Sequence, residues 1–116
     1  VFHGYSQMGA LRDAAVAATQ HFDFVLSPVA PNVAFPAEWA SPLNDPQRPF
    51  EHIAFTLPYN MSEQPASSIN CRFTAAGLPI GLQIAGPRHD DLGVLRLSRA
   101  WERLRSEPPP WPQPPG

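Results

Sequence analysis

Residues 66–85, ASSINCRFTAAGLPIGLQIA, hold two β-prone runs around one turn. Ala66–Phe73 and Pro79–Ala85 each carry branched or aromatic residues, and Thr74-Ala75-Ala76-Gly77 lies between them. Gly77 can take a positive φ, which the turn requires, so the two runs are expected to pair as an antiparallel hairpin. Gly86-Pro87 ends the second strand, because proline has no N–H to give to a ladder.

Working outward, Asp90 is placed to cap a helix that carries Val94, Leu97, Trp101 and Leu104 as its apolar stripe and runs through Arg105. Upstream, Tyr5 to Phe22 reads as a helix with Met8, Leu11, Ala15, Ala18 and Phe22 on one face. Phe24-Val25-Leu26 is a short continuous apolar run, the pattern of a strand covered on both faces in the middle of an α/β sheet. Between Pro28 and Pro49 six prolines interrupt every period, with Phe35 and Trp39 among them. This segment is expected to be an ordered loop that packs on something, since two large aromatics argue against disorder. Pro49 to Leu57 is expected to form a short helix that Pro58 stops. From residue 108 the chain reads PPPWPQPPG, a polyproline II extension expected to be solvated, with docking into an aromatic groove as the alternative.

The 116 residues suit one small domain. Their formal charge of -2 gives no electrostatic footprint for nucleic acid or an anionic membrane. No apolar run approaches the ~18 residues of a membrane span. The opening Val1-Phe2-His3-Gly4 lacks an initiator Met, a basic region and an apolar core, so it reads as neither a native start nor a signal peptide. The single cysteine, Cys71, excludes an internal disulfide framework and fits a reducing, cytoplasmic setting. Proline is 16 of 116 residues, and all eight basic residues are arginine. A mechanism that needs a lysine base therefore cannot be carried by these residues alone.

The stretch from Phe55 through Gln64-Pro65-Ala66, followed by Gly77-Leu78-Pro79-Ile80-Gly81-Leu82-Gln83, resembles the C-terminal end of the amidase signature family. The upstream Phe22 to Pro31 is similar to that family's buried strand and proline exit, so the likeness covers Phe22 to Leu104. The chain departs from the family pattern at Glu63, where a glycine is usual, at Asn70, where a proline is usual, and at Arg72, where a glycine is usual. The resemblance implies a fold class of α/β, with this chain as part of a mixed β-sheet flanked by helices in a larger α/β/α amidase domain. Residues 1–107 would be the C-terminal part of that domain and 108–116 a proline-rich tail.

The resemblance also implies hydrolysis of a carboxamide by a Ser–cis-Ser–Lys triad with a glycine- and serine-rich oxyanion loop. Neither lysine nor that loop is present, so no catalytic residue is assigned here. Ser67-Ser68 lacks flanking glycines and reads as strand. What the chain would supply is sheet and substrate-pocket wall, with Ile53, Leu57 and Trp39 as the substrate-contacting candidates. Family members acting on tRNA-bound glutamate or glutamine carry an acidic residue at the position aligned with Ile53. An apolar side chain cannot pair with an ammonium group, so an uncharged acyl group is expected. The amidotransferase reading is correspondingly disfavoured. No cofactor is expected. The expected partners are a small amide substrate and the missing N-terminal part of the enzyme, with a homo-oligomer left open. The alternative is a non-catalytic, amidase-derived interaction module that binds through a sheet edge or the tail. His52 beside Glu51 reads as a helix-surface pair, His89-Asp90-Asp91 as a helix cap rather than a metal half-site, and Cys71 as core packing.

Overall fold

The computed structural model describes residues 2–105; the proline-rich tail at 108–116 lies outside the described residues. Helix α1 spans Phe2–Thr19, strand β1 Val25–Pro28, a one-turn 3-10 helix Glu51–Ile53, helix α2 Leu57–Ser62, strand β2 Ala66–Phe73, strand β3 Pro79–Ala85 and helix α3 Asp91–Leu104. The three strands form one antiparallel sheet in the order β1-β3-β2. This is a mixed α/β fold with a small sheet flanked by helices.

The hairpin forms as the sequence predicts. Gly77 sits at φ 81°, and Thr74 closes the turn twice: its N–H donates to the Leu78 carbonyl at 2.9 Å and its Oγ1 accepts from the Leu78 N–H at 3.0 Å. One irregularity breaks the ladder between Asn70 and Arg72, which makes Cys71 the extra residue of a bulge. Helix α3 begins where predicted: the Asp90 carboxylate accepts the Gly93 N–H at 3.0 Å. It packs on β2 and β3, where Ser67 and Ser98 share a 2.7 Å hydrogen bond. Ser98 also donates to the Val94 carbonyl. The buried apolar residues Ile84, Ala85 and Val94 lie at this junction.

Three expectations change. Among the described residues strand β1 pairs only with β3, and Leu26 is 57% exposed, so these residues alone do not supply the cover that the apolar run predicts on both faces. Helix α1 starts at Phe2 rather than Tyr5 and ends at Thr19 rather than Phe22, and on its apolar face Met8 and Leu11 are exposed while Ala15 is half-buried. Its partner is α2. Finally, the segment Pro49–Leu57 is not one helix that Pro58 stops. It is a 3-10 turn followed by a separate helix, and Pro58 lies in the first turn of α2. The N–H groups of a first turn have no intrahelical partner, so proline costs nothing there. Among the described residues no helix is long and apolar enough to cross a membrane.

Candidate functional site

One face of the sheet is polar at its centre. Ser27, Gln83 and Ser68 lie in register across β1, β3 and β2. Gln83 is 4% exposed, and its amide nitrogen is fully used: it donates to Ser27 Oγ at 3.0 Å and to the Phe55 carbonyl at 2.9 Å. The second bond fixes the main chain midway between Ile53 and Leu57. Ile53 ends the 3-10 helix and Leu57 opens α2, and both are half-buried. The Ile53 carbonyl accepts both the N–H and the hydroxyl of Thr56, at 3.1 and 3.2 Å, which sets the bend between the two elements. The main chain between these two candidates is therefore tied to the sheet by one buried amide. Sequence reasoning missed Gln83 as a residue that shapes the site; its signal was a lone amide inside the apolar run Leu82 to Ala85.

Trp39 lies on the proline loop, 42% exposed, with its main-chain N–H donating to the Pro36 carbonyl at 3.0 Å. That loop is tied to the 3-10 helix by Phe35, whose ring meets His52 edge-on with centroids 6.1 Å apart. His52 thus faces an aromatic, while Glu51 pairs with Arg48. The two do not form a base with its orienting carboxylate.

The Gln64-Pro65-Ala66 motif is a structural tie. Gln64 donates to Thr19 Oγ1 and to the Gly86 carbonyl, both at 3.1 Å, and accepts the hydroxyl of the fully buried Ser62 at 2.8 Å. One side chain thereby joins the end of α1, the end of α2 and the exit of β3. Glu63 just before it is left-handed, with φ 61°. This is the helix-ending geometry that glycine adopts freely, which accounts for the glycine usual in the resembling family. Here the Glu63 carboxylate lies 3.7 Å from the Arg12 guanidinium and 3.8 Å from that of Arg88. In α2, burial pushes the Tyr59 phenol above its ordinary value. Among the described residues no group of three or more His, Cys, Asp or Glu side chains is placed to hold a metal ion.

A separate open groove of about 530 Å³ runs between the loop after β1, the middle of β2 and the start of β3. Val29, Pro31, Val33, Ile69, Pro79 and Ile80 supply its apolar lining. Ile53, Leu57 and Trp39 do not line it. Its floor passes Gly81, where the loop comes so close that a Cβ would stand 2.7 Å from Val29 Cγ2.

A family profile described as Amidase matches residues 3–95. The glutamyl-tRNA(Gln) amidotransferase A subunit of Myxococcus xanthus is 41% identical over 93 residues, which is 80% of this chain and 19% of that protein. Among solved structures, the glutamyl-tRNA(Gln) amidotransferase A subunit of Thermotoga maritima superposes with a TM-score of 0.71 at 30% identity, over 88% of this chain and 22% of that one. A bacterial aryl acylamidase of the amidase signature enzymes gives a TM-score of 0.66 at 25% identity, over 83% of this chain and 21% of that one. The chain thus spans about a fifth of the length of the proteins it matches.

Proposed function

The chain belongs to the amidase signature family, and from that premise we propose that it forms the C-terminal, substrate-side part of an enzyme that cleaves a carboxamide C–N bond to an acid and ammonia or an amine. A serine hydroxyl needs a base to attack an amide, and the resulting oxyanion needs preorganised donors. The 116 residues contain no lysine, so in this reading the Ser–cis-Ser–Lys residues and the oxyanion loop belong to other parts of the enzyme.

The observation that supports a pocket-wall role is the Gln83 amide. It holds the Phe55 main chain against the sheet, and in this reading Ile53 and Leu57, half-buried on either side of that tie, form one apolar surface. Such a surface favours an uncharged acyl group, because burying an unpaired ammonium against it is costly. Trp39, on the exposed loop, would stand at the entrance. A second reading is favoured by the curated relatives, which are glutamyl-tRNA(Gln) amidotransferase A subunits at up to 41% identity among those compared. In that reading the substrate is an amide donor bearing a free amino group, and a carboxylate other than residue 53 must pair with it.

The two readings separate in a graft of residues 2–105 into the matching part of the Thermotoga maritima protein. Turnover of apolar anilides, lowered at least ~10-fold by Ile53→Asp, supports the first reading, a loss of about 1.4 kcal/mol of transition-state binding. Turnover of glutamine with Ile53→Asp neutral or beneficial supports the second. A folded graft inert towards both returns the chain to the role of a non-catalytic interaction module. The isolated 116-residue chain should cleave neither substrate, and titratable turnover by it would overturn the proposal.

A further inference from the structure

Helix α3 buries one stripe on the sheet and leaves a second one bare. It runs antiparallel to β3: Val94 packs at Gly86, where an added Cβ would stand 2.8 Å from Val94 Cγ2, and Arg105 reaches Asn70, the partner of Gly81. Ser98 leans towards β2, where it bonds Ser67. Leu97 is one position earlier, ~100° round the helix, and so lies on the opposite flank, towards β1. Gly93, Leu97, Ala100 and Leu104 follow one another at steps of four, three and four, the spacing of a helix-packing seam. Gly93 and Leu97 are half-buried, Ala100 is exposed and Leu104 is 81% exposed. On the sheet, Leu26, Ile84 and Ser67 are in register on the face that α3 covers. Ile84 is buried there, whereas Leu26 on β1 remains 57% exposed.

Strand β1 lies one strand spacing, ~4.8 Å, beyond β3, and packed helices sit ~8–10 Å apart. A helix laid beside α3 on its Leu97 flank therefore stands over β1, where one apolar stripe meets both Leu26 and the seam of Leu97, Ala100 and Leu104. The small Ala100 lets the two backbones approach. Arg96 and Arg103 are exposed along the solvent side of the seam, so acidic side chains on the incoming helix would face them. The chain spans about a fifth of the length of the proteins it matches, and the remaining four-fifths of such a protein is ample to supply the element. We propose that an amphipathic helix of the same enzyme, from outside these 116 residues, docks beside α3 over β1. Its apolar stripe rests on Leu26, Leu97, Ala100 and Leu104, and its carboxylates face Arg96 and Arg103. The inference rests on the reading of the chain as part of a larger amidase.

The experiment is thiol labelling of single introduced cysteines in a Cys71→Ser background, read by peptide mass. It is run in the isolated chain and in the graft of residues 2–105 into the Thermotoga maritima protein. Ala100→Cys probes the seam, and Arg99→Cys, ~100° round the helix, probes the solvent side of α3. Docking predicts that the two positions label at similar rates in the isolated chain, and that position 100 labels at least ~10-fold more slowly than position 99 in the graft. Leu26→Glu or Leu104→Glu in the graft should restore labelling at position 100. Equal labelling of the two positions in a folded graft overturns the proposal. The isolated chain gives a second test that needs no graft: Leu26→Glu and Leu104→Glu should leave its urea midpoint unchanged, and a fall overturns the proposal because the seam would already be in use. Protection of position 100 that grows with the concentration of the isolated chain overturns it as well, since the occupant would then be a second copy. Labelling reads cover and not turnover. A graft protected at position 100 yet inert defeats the amidase reading alone, and one that turns over substrate with position 100 open defeats the docked helix alone.

Discussion

Replacing Gly81 by alanine tests how tightly the proline loop is packed on the sheet. The added Cβ would stand 2.7 Å from Val29 Cγ2 and 3.1 Å from Val29 Cβ, where carbon atoms prefer about 3.5–4.0 Å. Val29 cannot simply retreat, because its N–H donates to the Gly81 carbonyl at 3.2 Å. Either that bond stretches or Val29 turns off its rotamer. Overpacking of this kind costs about 1–3 kcal/mol, and alanine's advantage over glycine in a strand returns roughly 0.5–1 kcal/mol. Net destabilisation of about 0.5–2 kcal/mol is expected in equilibrium urea unfolding. Parent and variant should be compared at one protein concentration, because any self-association would shift the midpoint. Val29→Ala in the same chain removes the Cγ2 methyl that the new Cβ meets first. The double variant should then be more stable than the sum of the single losses by about 1 kcal/mol or more. A Gly81→Ala protein at least as stable as the parent, or strictly additive losses, would refute the packing argument.

Gln83→Ala strips the Phe55 carbonyl and Ser27 of their donor, costing about 1–3 kcal/mol, and amide exchange at residues 53–57 should accelerate while α3 stays protected. Asp90→Ala should cost about 1 kcal/mol through loss of the α3 cap. Gly93→Ala should yield none of the usual ~1 kcal/mol helix gain of alanine over glycine, because its Cβ would run into the Asp90 carboxylate; a clear rise in melting temperature would contradict that. Burial raises the Tyr59 phenol above 10.0 in the folded state, so the unfolded chain loses that proton first. Stability is therefore unaffected by this group below pH 10 and declines as pH climbs towards the folded-state value. Tyr59→Phe should flatten that alkaline decline, and an unchanged slope above pH 10 would count against the burial assigned to it.

The hairpin and α3 are legible in the sequence because their signals are local: β-prone runs, a glycine at the positive-φ position of the hairpin turn, and an aspartate three residues before the N–H it caps. The misreadings fall where the same local signal fits two structures and the surrounding fold decides. The apolar run at Leu26 predicts cover, yet no strand among the described residues lies beyond β1. Pro58 reads as the end of a helix, although proline is equally at home in a first turn and only the Ile53–Thr56 bend settles which applies. Ile53 and Leu57 come from a resemblance, but the residue that ties down the main chain between them, Gln83, is 28 positions away in sequence and is brought to position 55 only by the fold. Glu63 stands out in the sequence as a departure from a glycine, and its left-handed φ explains why that position is particular.

The two margins of the sheet are not equivalent. Beyond β2 an incoming strand would meet the Cys71 bulge and the Arg105 guanidinium already seated on a main-chain oxygen. Beyond β1 it would meet the short stretch Val25–Ser27 before Pro28 ends the ladder. Lateral enlargement therefore has a preferred direction. A strand added at β1 would shield the Leu26 side chain from solvent and turn a rim position into an interior one, while the opposite margin stayed sealed.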